Sequence, residues 1–492
     1  MQVLFALSPF FAIALGALLL MLAEAFTKGR GGLAMGSAIT CFTGMAFSLA
    51  VWMYGPEHLQ GLEQVSPWLL VDRFSLFFSA LLCLGGGLAS LLAGGYLAEH
   101  RMERGEFYAL ILFSTFGAMM VAGAGDLLTM MLGLETMSIG AYAMTAFRRT
   151  SPRSAEGALK YFLLGSFAAA ILLYGFALLY GATGHTDLAG IGEAIRGGKR
   201  GAMVVVALIL CLVGLAFKVS AVPFHMWTPD AYEGAPTPAT TFMAVAIKSG
   251  AFAMMLRVLL VCFGDAGSVS WASGWPPMLA WIAVITMTVA NLVAGRQESV
   301  KRMLAYSSIA HAGYILVGVV AAARTPQASA SVLFYLLTYT VSTAGAFGAL
   351  ILCGSRGAEA VSYEDLAGIG RRHPAAALPF GLFLLSLAGI PPTAGFFGKW
   401  FVLRAAMDGG FYWLAVIAFL NSVIGAYYYL RVLVFMYMRE PAAGAPVATP
   451  MRSGYVTAAL ILSAIMVVAL GMLPGSSLDM AMQAAQAFAG GT

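Results

Sequence analysis

Four ionisable residues stand deep inside apolar runs of this chain. Glu135 lies in LLTMMLGLETMSIGAYAMTAF, Lys218 in GLAFKVSAVPFHMW, Lys248 in FMAVAIKSGAF and Lys399 in GFFGKWFVLRA. A charge in hydrocarbon is costly, so such residues mark a functional site by default. Burial disfavours the charged form of either type, and an opposite charge nearby restores it. A Glu–Lys pair in a poorly hydrated site therefore has a charged and a neutral state of similar free energy. Separating the pair frees a proton, so the chemistry these residues suit is proton transfer. Glu135 has nothing charged within a turn of it in its own segment, so its partner must come from another, and Lys218 is the candidate. The plainer reading is a static ion pair tying two helices together. Three buried lysines beside interrupted segments favour a relay.

Two histidines extend the set. His311 lies in KRMLAYSSIAHAGYILVG, a polar segment with Ser307, Ser308 and Tyr314 close by. His225 lies in a polar connector just past Pro223. A histidine can bridge lysines too far apart for direct transfer. The plainer reading, a ring bonded to a neighbouring hydroxyl, weighs more against His225 than against His311. Glu24, Lys160 and Arg431 lie near segment ends, where snorkelling accounts for them. Arg257 and Arg404 either snorkel or face a water path. Asp230 and Glu233 either line an entrance or belong to a solvated connector. No histidine pair has haem spacing. The five cysteines are scattered without a CxxC, so neither an iron–sulfur site nor a disulfide framework is indicated.

The elements that position these residues follow from the prolines. Pro223 comes five residues after Lys218 and offers no N–H to the carbonyl of Val219. Pro391 and Pro392 interrupt a second segment, among Gly389, Gly395 and Gly398, with Lys399 two turns on. Each break thus sits beside a lysine. Pro236 and Pro238 suit the start of the helix that carries Lys248.

Composition sets the class. The chain has 492 residues, 60% apolar and 10% charged, and its mean hydropathy is +0.86. A soluble domain carries roughly 25% charged residues. This one is an all-α polytopic membrane protein. Its apolar runs of about 20 residues lack the alternation of an outer-membrane barrel. The net charge of +5 is spread over many loops, which argues against nucleic-acid binding. The N-terminal run reads as a first span rather than a cleaved signal peptide.

About fourteen spans of membrane length are expected. They lie near 5–24, 33–54, 74–97, 107–124, 126–147, 158–182, 203–223, 236–263, 275–294, 302–322, 329–353, 376–405, 411–437 and 455–474. The breaks fall in the seventh and twelfth, five spans apart, which predicts two inverted five-helix halves, helices 4–8 and 9–13. The chain then divides into 1–106, 107–263, 275–438 and 455–492, with 476–492 weakly amphipathic and outside the bilayer. Basic residues cluster in alternate loops, among them Arg148, Arg149, Arg153, Lys301, Arg302, Arg371 and Arg372. By the positive-inside rule those loops are cytoplasmic and both termini are periplasmic.

The stretch 214–250 resembles the central signature of the antiporter-like membrane subunits of respiratory complex I and of related cation/proton antiporter complexes. SAEGALKYFLLGSFAAAILLYGFALLYGATG, SVKRMLAYSSIAHAGYILVG, and YEDLAGIGRRHP followed by SLAGIPPTAGFFGKW extend the likeness over nearly the whole chain. They are more similar to the subunit N branch of bacterial NADH:quinone oxidoreductase than to the L or M branches. The resemblance implies two inverted repeats around a polar axis along the membrane. It implies that a glutamate on the fifth helix pairs with a lysine on the seventh, with lysines on the eighth and twelfth continuing the path. Those roles fall on Glu135, Lys218, Lys248 and Lys399. It implies no cofactor in this subunit. NADH, FMN, iron–sulfur clusters and quinone would belong to partner subunits of an obligate hetero-oligomer in the bacterial inner membrane. A sodium/proton antiporter subunit and a non-pumping scaffold are the alternatives.

Overall fold

The computed structural model describes residues 1–26, 32–199, 201–354, 359–441 and 448–491. Among them the chain is helical, with isolated bridges in place of sheet. Twelve helices are long and apolar enough to cross a membrane. They are α1 (Ser8–Phe26), α2 (Leu33–Tyr54), α3 (Arg73–Glu99), α4 (Glu106–Gly123), α5 (Leu127–Thr145), α6 (Pro152–Thr183), α9 (Thr237–Cys262), α10 (Trp275–Ala294), α11 (Val300–Ala322), α12 (Ser329–Cys353), α15 (Tyr412–Met438) and α16 (Gly454–Met472). The other two expected spans are the interrupted ones. The first is α7 (Ala202–Lys218), with a short helix, α8 (Trp227–Gly234), in the connector after its break; the second is cut into α13 (Pro374–Ala388) and α14 (Ala394–Asp408). A last helix, α17 (Gly475–Ala485), packs on α3 and α12.

Burial separates the helices into layers. In α3, α9, α11 and α12 about nine-tenths of the spanning window is buried, so these four form the centre. Helices α1, α6, α15 and α16 leave most of theirs unburied and form the rim. A backbone inside a bilayer must satisfy its polar groups internally, which full helices do and loops do not. The central helices can therefore carry polar side chains, because those face protein.

The two breaks are built alike. At the first, Ser220 takes a left-handed φ of 63°, and Ala221 N–H reaches back to Ala216 O at 2.8 Å. At the second, Gly389 has φ 86°, and Ile390 N–H reaches back to Leu385 O at 3.1 Å. This left-handed stop closes a helix by capping its last carbonyls. A proline follows three residues after each left-handed residue, Pro223 and Pro392, and prevents the helix from resuming. Val222 N–H, freed at the first break, donates to Thr286 Oγ1 of α10 at 3.0 Å.

Helix α5 is held close to α4. A Cβ at Gly117 would lie 2.4 Å from Met137 N and 2.7 Å from Gly133 O, so only glycine admits this approach. Ser114 Oγ adds a bond to Met137 O at 2.9 Å. That contact fixes the face of α5 bearing Glu135 and Ser138. Helix α6 starts six residues earlier than the hydropathy suggests, because Ser151 caps it and Pro152 opens it.

Candidate functional site

Lys218 ends α7 and is 4% exposed. Its Nζ donates to Ser138 Oγ at 2.8 Å and lies 3.5 Å from Tyr142 Oη, both on α5. Glu135 belongs to the same face of α5, one turn before Ser138. Its charge acts on both Lys218 and Tyr142. The expected direct ion pair is not formed among the described residues: the ammonium rests on Ser138, and Glu135 is half-buried one turn before it. The structure thus brings the two groups to one site without an ion pair between them.

Lys248 stands in α9 directly after a π-helical stretch, Met243–Ile247. Such wide turns recur at functional sites. Its Nζ donates to Ser308 O of α11 at 2.6 Å and to Ser308 Oγ. Tyr339 Oη of α12 donates to the same Ser308 Oγ at 2.8 Å. Next along α11, Ser307 Oγ bonds Tyr429 Oη of α15. Tyr429 Oη also lies 3.0 Å from His311 Nε2, and His311 Nδ1 lies 2.8 Å from Tyr335 Oη of α12. His311 is 4% exposed and feels the charges of both Lys248 and Lys399.

Lys399, 9% exposed in α14, donates to Ser422 Oγ at 2.9 Å and to Ala388 O at 2.8 Å. Ala388 is the last residue of α13, so this is a carbonyl the break sets free. All three lysines lie near a tyrosine ring: Lys218 near Tyr142 (5.8 Å), Lys248 near Tyr339 (5.8 Å) and Lys399 near Tyr314 (5.2 Å). None has an ion-pair partner among the described residues, and all rest on neutral oxygens. At Lys248 and Lys399 an ammonium so placed can give up a proton without stranding a carboxylate, and hydroxyls can pass it on. His225 stays apart. Its Nδ1 is buried without a protein hydrogen-bond partner, and none of its bonds reaches a lysine of the set. No group of three or more histidine, cysteine or acidic side chains among the described residues is arranged to hold a metal ion.

Several charges differ from the sequence reading. Lys160 does not snorkel but pairs with Glu156 and Asp230, each at 2.7 Å. Asp230 also takes Arg302 at 2.9 Å, which moors α8 to α6 and α11. Burial pushes the Asp230 carboxyl up, but its bonds from Lys160 and Arg302 outweigh that and hold it below the usual range. Asp230, Glu233, Arg153, Glu156 and Arg302 line a polar cavity of about 330 Å³ beside the first break. Arg257 is 2% exposed and bonds Asp72 Oδ1 at 2.9 Å and Ala122 O at 2.8 Å. Arg431 donates to Gly295 O and Gln297 O at the end of α10.

Residues 124–425, which contain both breaks and every lysine of the set, match the family described as NADH:quinone oxidoreductase/Mrp antiporter, TM. A Sorangium cellulosum protein named NADH-quinone oxidoreductase subunit N 1 is 67% identical over 496 residues, covering 97% of this chain and 98% of its own. The chain belongs to the NADH-quinone oxidoreductase subunit N family. A chain of respiratory complex I from Thermus thermophilus with bound aureothin is 34% identical, with a TM-score of 0.78, covering 96% of this chain and 98% of its own. A chain of the Mrp complex from Dietzia sp. shares the fold at a TM-score of 0.85 and 23% identity, over 98% and 97% of the two chains.

For this subunit N family member the sequence reading named Tyr314 but missed Tyr142, Tyr335, Tyr339 and Tyr429. The signal was present in the spacing: Glu135, Ser138 and Tyr142 recur at helical intervals on one face, as do Tyr335 and Tyr339. It also missed Glu359 and Lys301, for which loop position gave no hint of burial.

Proposed function

We propose that this chain is the proton-translocating subunit N of an NADH:quinone oxidoreductase. It is a multi-pass inner-membrane protein and one member of a multi-subunit membrane complex. In this reading a proton enters beside the first break, and Lys218, with Glu135 nearby, hands it to Lys248. It passes through Ser308, Ser307, Tyr429 and His311 towards Lys399 and leaves near the second break. Two inverted halves, with the cytoplasm on the side of the basic loops and both termini periplasmic, complete the proposal. The like construction of the two breaks supports it. NADH, FMN, iron–sulfur clusters and quinone then act in partner subunits, and this chain is driven by conformational change.

The observation that carries the reading is that three buried lysines rest on hydroxyl and carbonyl oxygens alone, next to a hydroxyl–imidazole chain. Static structural lysines at this depth would be expected to have carboxylate partners. The test is Lys248→Ala in the assembled complex, with proton uptake and NADH oxidation measured in proteoliposomes. Fewer protons per electron are expected from a normally assembled complex, and an unchanged ratio would refute the relay. Co-purification with flavin and iron–sulfur proteins separates this role from that of a stand-alone sodium/proton antiporter subunit. The fold shared with the Mrp complex is what keeps that second reading in view.

A further inference from the structure

The relay leaves unused a dense polar cluster at the end of the bundle bearing the basic loops. Glu359 lies in the linker between α12 and α13. Its Oε1 accepts Tyr96 Oη of α3 at 2.5 Å and Thr237 Oγ1, at the start of α9, at 2.7 Å. Lys301 Nζ, at the start of α11, lies 3.4 Å from its Oε2. The same Nζ donates to Ala235 O, in the connector of the first break, at 2.7 Å. Arg148, just past α5, donates to Tyr96 Oη at 3.1 Å, and the His100 ring stacks on Tyr96 at 4.0 Å. The Lys301 side chain is 1% exposed and that of Glu359 18%. Burial alone would push the Glu359 carboxyl up. Lys301, Tyr96, Thr237 and Arg148 outweigh it and bring it down to about 2. It is ionised at every pH at which a cell works.

What this carboxylate joins is specific. Ala235 and Thr237 close the first break and begin the helix of Lys248. Lys301 begins the helix of Ser308 and His311. The linker carrying Glu359 leads into the second broken helix. Lys248 lies about 16 Å along α9 from Thr237, and Ser308 about 10 Å along α11 from Lys301, at 1.5 Å per residue. Two helices pinned at one end keep their mutual register over such lengths, so the clamp governs whether Lys248 meets Ser308.

We propose that Glu359 is a positioning residue. It holds the start of α9 against the start of α11, ties both to the second broken helix, and so keeps Lys248 on Ser308. The inference rests on the relay reading above. It is tested in the whole complex with Glu359→Gln, which keeps the side chain's size but leaves Lys301 without its counter-charge. Thr237→Val, which strands no charge, and Lys248→Ala are measured alongside. Electron transfer should persist in Glu359→Gln while protons per electron fall. The pH profile of pumping should shift, and amide exchange in the first turn of α9 should quicken. A residue that merely stabilised the fold would lower the yield of complex and leave the pH profile in place. Unchanged pumping and unchanged exchange in an assembled Glu359→Gln complex would overturn the proposal. If that variant does not assemble, Thr237→Val decides: weaker changes of the same kind support the clamp, and none overturns it. If Lys248→Ala pumps normally, the relay fails and the clamp's role fails with it. If only Glu359→Gln and Thr237→Val pump normally, the relay stands and the clamp alone is wrong.

Discussion

Gly389→Ala tests the site without changing any ionisable group. Gly389 holds the left-handed conformation that ends α13, with φ 86°. An added Cβ would lie 2.9 Å from Lys399 Cδ and 3.4 Å from both its Cε and Nζ. Ordinary contact begins near 3.4 Å, so the lysine stem must move by several tenths of an ångström. Its Nζ is held at 2.8 Å by Ala388 O and 2.9 Å by Ser422 Oγ. Losing one such charged hydrogen bond costs about 1.5–3 kcal/mol. At 1.4 kcal/mol per decade, the native Lys399 geometry becomes roughly 10- to 100-fold rarer. The left-handed strain on alanine adds about 1–2 kcal/mol, a general cost unrelated to Lys399. Gly410→Ala isolates it, because Gly410 has φ 80° and open space where its Cβ would go. Both variants should assemble. In proteoliposomes Gly389→Ala should pump fewer protons per NADH oxidised, while Gly410→Ala should match the parent. If the two variants pump alike, Lys399's position does not matter and the reasoning is refuted.

Other outcomes follow from the same geometry. Tyr429→Phe removes the hydroxyl between Ser307 and His311 Nε2 and should lower protons per electron without lowering NADH oxidation; an unchanged ratio would take Tyr429 out of the path. Ser220→Gly should stabilise the first break by about 0.5–1 kcal/mol, the left-handed cost of about 1–2 kcal/mol that glycine escapes less its unfolded-state entropy of about 0.4–1 kcal/mol. Ser220 Oγ has no protein hydrogen-bond partner, so pumping should be retained; a clear drop would mean that this hydroxyl serves the path. Asp72→Asn strands the 3%-exposed Arg257 side chain and should cost about 3–5 kcal/mol. Arg257→Leu instead leaves Asp72, 31% exposed, with water and should cost about 1–3 kcal/mol. The apparent unfolding temperature in detergent should rank them in that order. Because the Asp230 carboxyl is held below its ordinary value, the mooring of α8 is complete at neutral pH. It weakens as pH falls below about 4 towards that lowered value. Amide exchange over Trp227–Gly234, corrected for its intrinsic pH dependence, should stay flat from pH 7 to about 5 and rise only below that range.

The sequence showed most of the frame because membrane physics writes it plainly. Runs of apolar length become helices, and Pro223 and Pro392 break them since neither supplies an N–H. The same logic singled out Lys218, Lys248, Lys399 and His311 by depth alone. Partnerships were harder. Glu135 and Lys218 looked like a pair because they were the opposite charges at hand, yet Ser138, one turn on, takes the ammonium. Hydroxyls such as Tyr339 and Tyr429 are common in membrane helices, and only packing shows which of them meet. Arg257 and Lys160 found carboxylates 185 and 70 residues away, distances at which spacing says nothing. Glu359 sits in a polar loop whose composition reads as solvated, and burial there depends on five segments converging.

The lysine surroundings also fix a count. An ammonium carries three hydrogens and a neutral amine two. Lys218 has two oxygens within reach, from Ser138 and Tyr142; Lys248 has two, both from Ser308; Lys399 has two, from Ala388 and Ser422. Among the described residues each pocket thus offers oxygens to two of the three ammonium hydrogens, the number a neutral amine keeps, and leaves one over. Departure of that hydrogen abandons no protein acceptor, so each lysine can change its charge with its cradle intact. The cradles tolerate either state, and the bias between them is left to charges beyond the cradles, such as Glu135 near Lys218, and to motions arriving from outside.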